Sequence, residues 1–265
     1  MSIIQVFGEL FDVSFNEIDL STKGFNCYNI VKPLSPQQTQ ELVNIPKRQG
    51  LIQATKKFTN NSIILYGFIK CDSYIELTTK LGELASFLYS DTDKRLVIQS
   101  DRYWNCQYLD SYIVEQRDDY ALVNLEFTCN DPFGYATIED SKDFEITTNN
   151  DIKLIINSGH YYSWPIITIT FNQTQTHIYI QSNNVSGNRL DIAKSFVSGD
   201  ELEIDCKNKT IKLNGSNSPT GFGSGGNSKA EFIKLAKGYN EIQIGTDDDT
   251  IDVSVNLKYR KVYLY

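Results

Sequence analysis

Two histidines, five cysteines and no long apolar run are all that this 265-residue sequence offers to the commonest chemistries, and each shortage closes a class of function. His160 and His177 stand at no recognisable spacing from a Ser or Cys nucleophile or from further metal ligands, so neither a hydrolytic triad nor a metal site is encoded around them. Cys27, Cys71, Cys106, Cys129 and Cys206 are odd in number, widely spaced and without a CxxC pair; the sequence predicts neither a disulfide framework nor zinc, and buried, reduced thiols for most of them. The longest apolar run, Ile63 to Ile69, contains Gly67 and is too short to span a bilayer, and MSIIQVFGELF at the start has no charged n-region or cleavage site. The expectation is therefore folding in a reducing cytoplasm without membrane insertion. Basic residues are also scarce: 25 Lys and Arg stand against 33 Asp and Glu, a net charge of −8. No basic stripe is present for a nucleic-acid backbone to bind.

What the sequence has in quantity is material for pleated sheet. Sixteen Tyr and fourteen Phe accompany abundant Ile, Val and Thr, side chains that pack well on a pleat. One helix is predicted in the first half, where Leu77, Leu81, Leu84 and Leu88 recur at helical spacing behind Ser73 and Glu76, a capping-box pattern. Strand-like runs surround it at 62–69, 95–100, 104–116 and 120–129, the last two flanking a short turn at Arg117-Asp118-Asp119. The second half reads as about eight short strands, with alternation clearest at Ile167/Ile169/Phe171, Ile178/Ile180, Leu202/Ile204, Ile242/Ile244 and Ile251/Val253/Val255. His177 alternates with Ile178 and Ile180 and is expected to face solvent. Charge divides the halves too: residues 1–140 hold 12 basic and 19 acidic residues, residues 141–265 hold 13 and 14. The polar stretch 137–150 is the place for a linker between two domains, 1–138 and 139–265.

Chemistry-bearing motifs are weak. Gly221, Gly223 and Gly226 fit G-x-G-x-x-G, but a dinucleotide site needs those glycines directly after a buried parallel strand, and here NGSNSPT intervenes in all-β surroundings. A flexible loop from Asn214 to Ser228 is the expectation. The acidic groups Asp91/Asp93 and Asp247-Asp248-Asp249 lack the ligand spacing of a calcium loop and fall where turns belong. No catalytic, cofactor or metal residues are assigned. Tyr161, Tyr162 and Trp164, beside Pro165, either stack on a sugar or pack at a strand entrance.

One stretch concentrates turn chemistry after a strand: LEFTCNDPFGYA, residues 125–136. Asn130-Asp131-Pro132 is expected to end the strand, with Phe133, Gly134 and Tyr135 fixing the exit, so that Asp131, Pro132, Phe133 and Gly134 form a domain-junction motif. FTCNDPFGYA resembles the strand-ending motif of the distal tail proteins of long, non-contractile-tailed bacteriophages. IPKRQGLI, LTTKLGELASFL with KRLVIQSDRYWNCQYLD, NSGHYYSWPIITIT, SGDELEIDCKNKTIKLNG and FIKLAKGYNEIQIG agree with that family in order.

The resemblance implies a mainly β protein with two parts. The first is a tail-tube-like β-sandwich or split barrel with one helix; the second is a peripheral galectin-like or OB-like β-sandwich. It further implies a structural virion protein at the tail tip, assembled in the host bacterial cytoplasm. Such a protein forms a hexameric ring with itself, joins the tail tube protein to the tail tip or tail-associated lysin protein, and in some cases anchors a receptor-binding protein. It has no cofactor. The alternative is a carbohydrate-binding β-sandwich module.

Overall fold

In the computed structural model, residues 9–44, 46, 49–184, 189–218 and 231–265 are described. The chain divides into two compact units, Met1–Thr137 with Leu264–Tyr265, and Ile138–Tyr263. It is mainly β, with one α-helix among the described residues.

In the first unit the strands are β1 (Ser14–Phe15), β2 (Ile18–Asp19), β3 (Asn26–Val31), β4 (Gln38–Asn44), β5 (Leu51–Phe58), β6 (Asn61–Lys70), β7 (Lys94–Gln99), β8 (Arg102–Gln116), β9 (Tyr120–Cys129) and β10 (Gly134–Ala136). The main sheet runs β2-β1-β7-β8-β9-β6-β3, with β10 also on β8, while β4 and β5 form a two-stranded sheet of their own. Helix α1 (Tyr74–Leu88) begins where the capping box predicts, Ser73 Oγ accepting from the Glu76 amide at 3.3 Å. The Glu76 carboxylate reaches back one residue further than in the usual box, to the Asp72 amide at 3.2 Å. Leu77, Leu84 and Leu88 are buried among β6 and β9 side chains such as Leu65, Ile69, Leu125 and Phe127, and Leu81 packs at the margin of that core. The helix is short, and no described helix is long and apolar enough to cross a membrane.

The reduced-thiol expectation fails for two cysteines. Cys106 and Cys129 form a disulfide across β8 and β9, while Cys27, Cys71 and Cys206 are free and buried. The cause is strand register: Gln107 lies opposite Thr128, so the next pair out is Cys106 and Cys129, and adjacent antiparallel strands bring facing Cβ atoms within bridging distance. Thiol titration of the unfolded, unreduced protein should return three thiols, where five would refute the bridge. For a loop closed over a separation of 23 residues, chain entropy puts the stabilisation at about 3 kcal/mol, and reduction should lower the unfolding midpoint accordingly.

The second unit has two sheets. One runs β11 (Asp140–Ile146), β20 (Val253–Tyr259), β13 (Ile166–Phe171), β16 (Glu201–Asp205), β17 (Thr210–Leu213), β18 (Ser216–Asn217); the other runs β12 (Asp151–Asn157), β19 (Gly238–Gly245), β14 (Gln175–Ser182), β15 (Arg189–Phe196). The alternating residues behave as read: Ile167, Ile169, Phe171, Ile178, Ile180, Leu202, Ile204, Ile242, Ile244 and Val253 share one core. Phe171 of one sheet stacks on Phe196 of the other, centroids 4.1 Å apart. Both sheets thus bury one face in common, the condition for period-two alternation to persist over so many strands.

Two expectations on connecting segments change. Residues 140–146, read as part of a linker, form β11, paired along its whole length with β20 from Asp140↔Tyr259 to Ile146↔Val253. It is an edge strand whose residues are mostly half-buried or exposed, which is why its polar sequence looked like a connector. The described start of the expected flexible loop is a tight turn: Asn214 and Gly215 have φ of 51° and 75°, and Leu213 pairs with Ser216, as a type I′ hairpin requires. Gly221, Gly223 and Gly226 lie outside the described residues.

Candidate functional site

The groups with intrinsic reactivity are held as structure. Burial pushes the Cys27 and Cys206 thiols up to about 12 each, so neither offers a thiolate nucleophile near neutrality. Asp248 is tied into its turn by the Thr176 amide and hydroxyl at 2.7 Å each and by Thr246 Oγ1 at 3.2 Å, and these hydrogen bonds hold its carboxyl below the usual range. His177 does not face solvent as expected. It is largely buried on the outer side of β14, between Asp191 and Asp247 at 3.4 Å each, and Asp191 is itself engaged by Arg189 at 2.7 Å. The strand irregularity between Gln175 and His177 re-aims the ring toward these carboxylates. Among the described residues no three His, Cys, Asp or Glu side chains gather to hold a metal.

The built feature of the chain is the corner after β9. Cys129 is the last residue of that strand, and Asp131 Oδ1 accepts from the Phe133 amide at 3.4 Å, a weak Asx-type turn. Asp131 Oδ2 accepts from the Tyr135 hydroxyl at 2.5 Å, and burial together with that carboxylate drives the Tyr135 phenol far above its ordinary range. The buried Asn61 amide donates to the Pro132 carbonyl at 2.7 Å. Gly134 then faces Trp104 so closely that a Cβ would sit 2.9 Å from the indole, and Tyr135 stacks on Tyr103 with centroids 5.7 Å apart. The chain thus leaves β9 and returns to the same side of β8 as β10.

Phe133 has a different partner. Its ring meets Phe58 edge-to-face at 5.3 Å, and Phe58 is the last residue of β5. The corner therefore anchors the root of the β4–β5 hairpin. That hairpin is an arm: every residue of β4 is exposed, and no residue of either strand belongs to the unit's core. Leu42 and Val43 lie bare upon it. An isolated two-stranded hairpin is marginal in water, so an arm of this kind is a docking element. Its charge is opposite to that of the chain: residues 36–60 carry Lys47, Arg48, Lys56 and Lys57 against Glu41 alone, in a protein of net charge −8.

A second unsatisfied surface adjoins β8. Strand β7 pairs with it only as far as Cys106, and β9 covers the opposite side from Gln107 to Gln116. Ten residues of β8 therefore present a free edge among the described residues. Two bulges there, at Tyr108/Asp110 and Ile113/Glu115, expose Leu109 and Val114, with Tyr112 and Ile113 beside them. Long apolar edges pair with other chains unless protected. Sequence reading located the corner residues Asp131, Pro132, Phe133 and Gly134 but not the arm or the free edge; alternation around Glu41-Leu42-Val43 was the available signal for the arm.

This is a fold with surfaces for assembly and no assembled catalytic group, and the comparisons agree. Residues 158–263 match the SPP1_Dit family model, Siphovirus-type tail component, C-terminal domain, and that part of the chain belongs to the family. The resemblance to distal tail proteins read from the sequence is borne out, and the protein is a structural phage tail component rather than an enzyme. The crystal structure of SPP1 Dit, described as a paradigm of hub adsorption apparatus in Gram-positive infecting phages, overlays with a TM-score of 0.78 at 15% identity, covering 97% of this chain and 100% of that one. Chains of the phage P2 baseplate in its activated conformation, with Ca and with Sr, overlay at TM-scores of 0.46 and 0.47 with 10% identity, covering 95% of this chain and 97% of theirs; nothing is drawn from them. No curated protein matches the chain.

Proposed function

We propose that the chain is the hub of a phage tail tip: six copies close into a ring through a tail-tube-like first unit, and the second unit, galectin-like or OB-like, is a peripheral module. The ring joins the tail tube protein on one side to the tail tip or tail-associated lysin protein on the other, and offers a place for a receptor-binding protein. One observation carries this reading, the whole-chain overlay on SPP1 Dit, which takes in both units. The exposed arm and the free β8 edge support it, because a ring needs two different patches on each subunit that fit each other in a heterologous contact whose rotation closes. The corner at Asp131–Gly134 serves the ring by fixing the arm root.

Native mass spectrometry and negative-stain microscopy test the proposal: six-fold particles are expected, and a monomer at all concentrations overturns it. The carbohydrate-binding alternative finds less support. Lys234 lies over the rings of Tyr162 and Trp164 at 5.2 and 5.9 Å, covering faces on which a sugar would stack.

A further inference from the structure

The first unit contains a cation that its own chain does not satisfy. Lys32 follows the outermost strand β3, and its Nζ is buried without a hydrogen-bond partner. It lies between two aromatic rings, 4.4 Å from the centroid of Trp104 and 3.9 Å from that of Tyr265. The ammonium and the Tyr265 ring line a cavity of about 490 Å³ whose other walls include Phe11, Ile30, Val31 and Ile98. Phe11 and Val31 at its mouth are 47% and 45% exposed. The nearest main-chain acceptor is already engaged, since the Tyr265 carbonyl oxygen takes a hydrogen bond from Arg102 at 2.7 Å.

We propose that this cavity receives a carboxylate side chain from a second copy of the chain, which pairs with Lys32 and seals the apolar rim around it. The inference rests on the ring reading and deepens it. Three observations favour that occupant. A buried ammonium without a hydrogen bond is costly and becomes favourable only when a partner brings the opposite charge. Two aromatic faces recover part of the cost, and a carboxylate completes the arrangement. Each copy carries 33 acidic residues and a net charge of −8, so a neighbouring copy meets the cavity with the complementary sign. The cavity also opens beside β3, the end strand of the main sheet, where a neighbour can approach without disturbing the core. Burial, and next the Arg102 guanidinium, hold Lys32 down to about 8 against the pull of Asp101. The group is thus a cation at neutral pH, but a poorly satisfied one.

The test uses the full chain. Equal amounts of ordinary and nitrogen-15-labelled protein are mixed, dissociated, reassembled and treated with a carbodiimide, which joins an amine to a carboxylate in direct contact. Mass spectrometry should find Lys32 linked to an Asp or Glu peptide of the other isotope. Lys32→Met, which keeps the apolar stem and removes the charge, should weaken ring association at least tenfold in sedimentation. A Lys32 link confined to one copy, or no link together with unchanged association of Lys32→Met, overturns the inference and leaves the ring standing. A wild-type chain that never associates overturns both. The cross-link is read on the unmutated protein, so a folding defect in the variant does not blur the outcome.

Discussion

Excising the β4–β5 arm is expected to leave a folded monomer and no ring. The excision is geometrically clean: the Thr59 amide donates to the Gln37 carbonyl at 2.9 Å, so the arm's two ends are already neighbours and a two-glycine link can join them. The first unit's core draws none of its buried members from residues 38–58, so the cost to that core is confined to the lost Phe58–Phe133 contact, about 1 kcal/mol. Assembly loses an exposed apolar stripe at Leu42 and Val43 and the positive charge of Lys56 and Lys57. We expect association to weaken by two orders of magnitude or more in analytical ultracentrifugation, with the thermal midpoint nearly kept. Because the arm is basic and the chain acidic, the intact ring should also loosen as salt rises, in the manner of exposed ion pairs. A ring that survives excision would assign closure to the β8 edge alone.

What could be read beforehand, and what could not, follows from how each element is buried. Strands with one face in a common core announce themselves, which is why β13, β14, β16 and β19 were legible from isoleucine spacing alone. Edge elements have no such obligation. Strand β11 buries Ile146 fully and Phe144 partly, and the remaining polar residues satisfy a strand whose other face meets water. The disulfide was illegible for a subtler reason. Near the turn, Gln116 pairs with Ala121, and a regular ladder from there would set Cys106 opposite Asp131. The two bulges on β8 each absorb one residue, so that Gln107 meets Thr128 and Cys106 meets Cys129. Nothing in composition or periodicity encodes those bulges. The same bulges put Leu109 and Val114 in the open, so one feature hid both a covalent bond and part of the assembly surface.

The corner itself is the place where a substitution should do most harm to the fold. Gly134 lies directly opposite Trp104 in the β8–β10 pairing, and a Cβ there would come within 2.9 Å of indole Cζ2 and 3.0 Å of Cε2. Trp104 is 3% exposed and sits in the core with Leu96 and Cys106, so it cannot swing into solvent without leaving a void. Gly134→Val is therefore expected to cost about 3 kcal/mol, a fall of roughly 10 °C in the unfolding midpoint of the first unit. Gly134→Ala should cost less but in the same direction. Pro132→Ala should differ in kind: the Pro132 carbonyl keeps its bond from Asn61, and only the restriction of φ is lost, about 1 kcal/mol or less. Shrinking the indole supplies the control, since Trp104→Leu opens the space that the valine side chain needs. In the double-mutant cycle the two changes should cost less together than the sum of each alone. If calorimetry instead shows Gly134→Val unfolding at the wild-type temperature, the corner is a hinge between the two units and not the closure of the first one's sheet, and the anchoring of the arm through Phe133 fails with it.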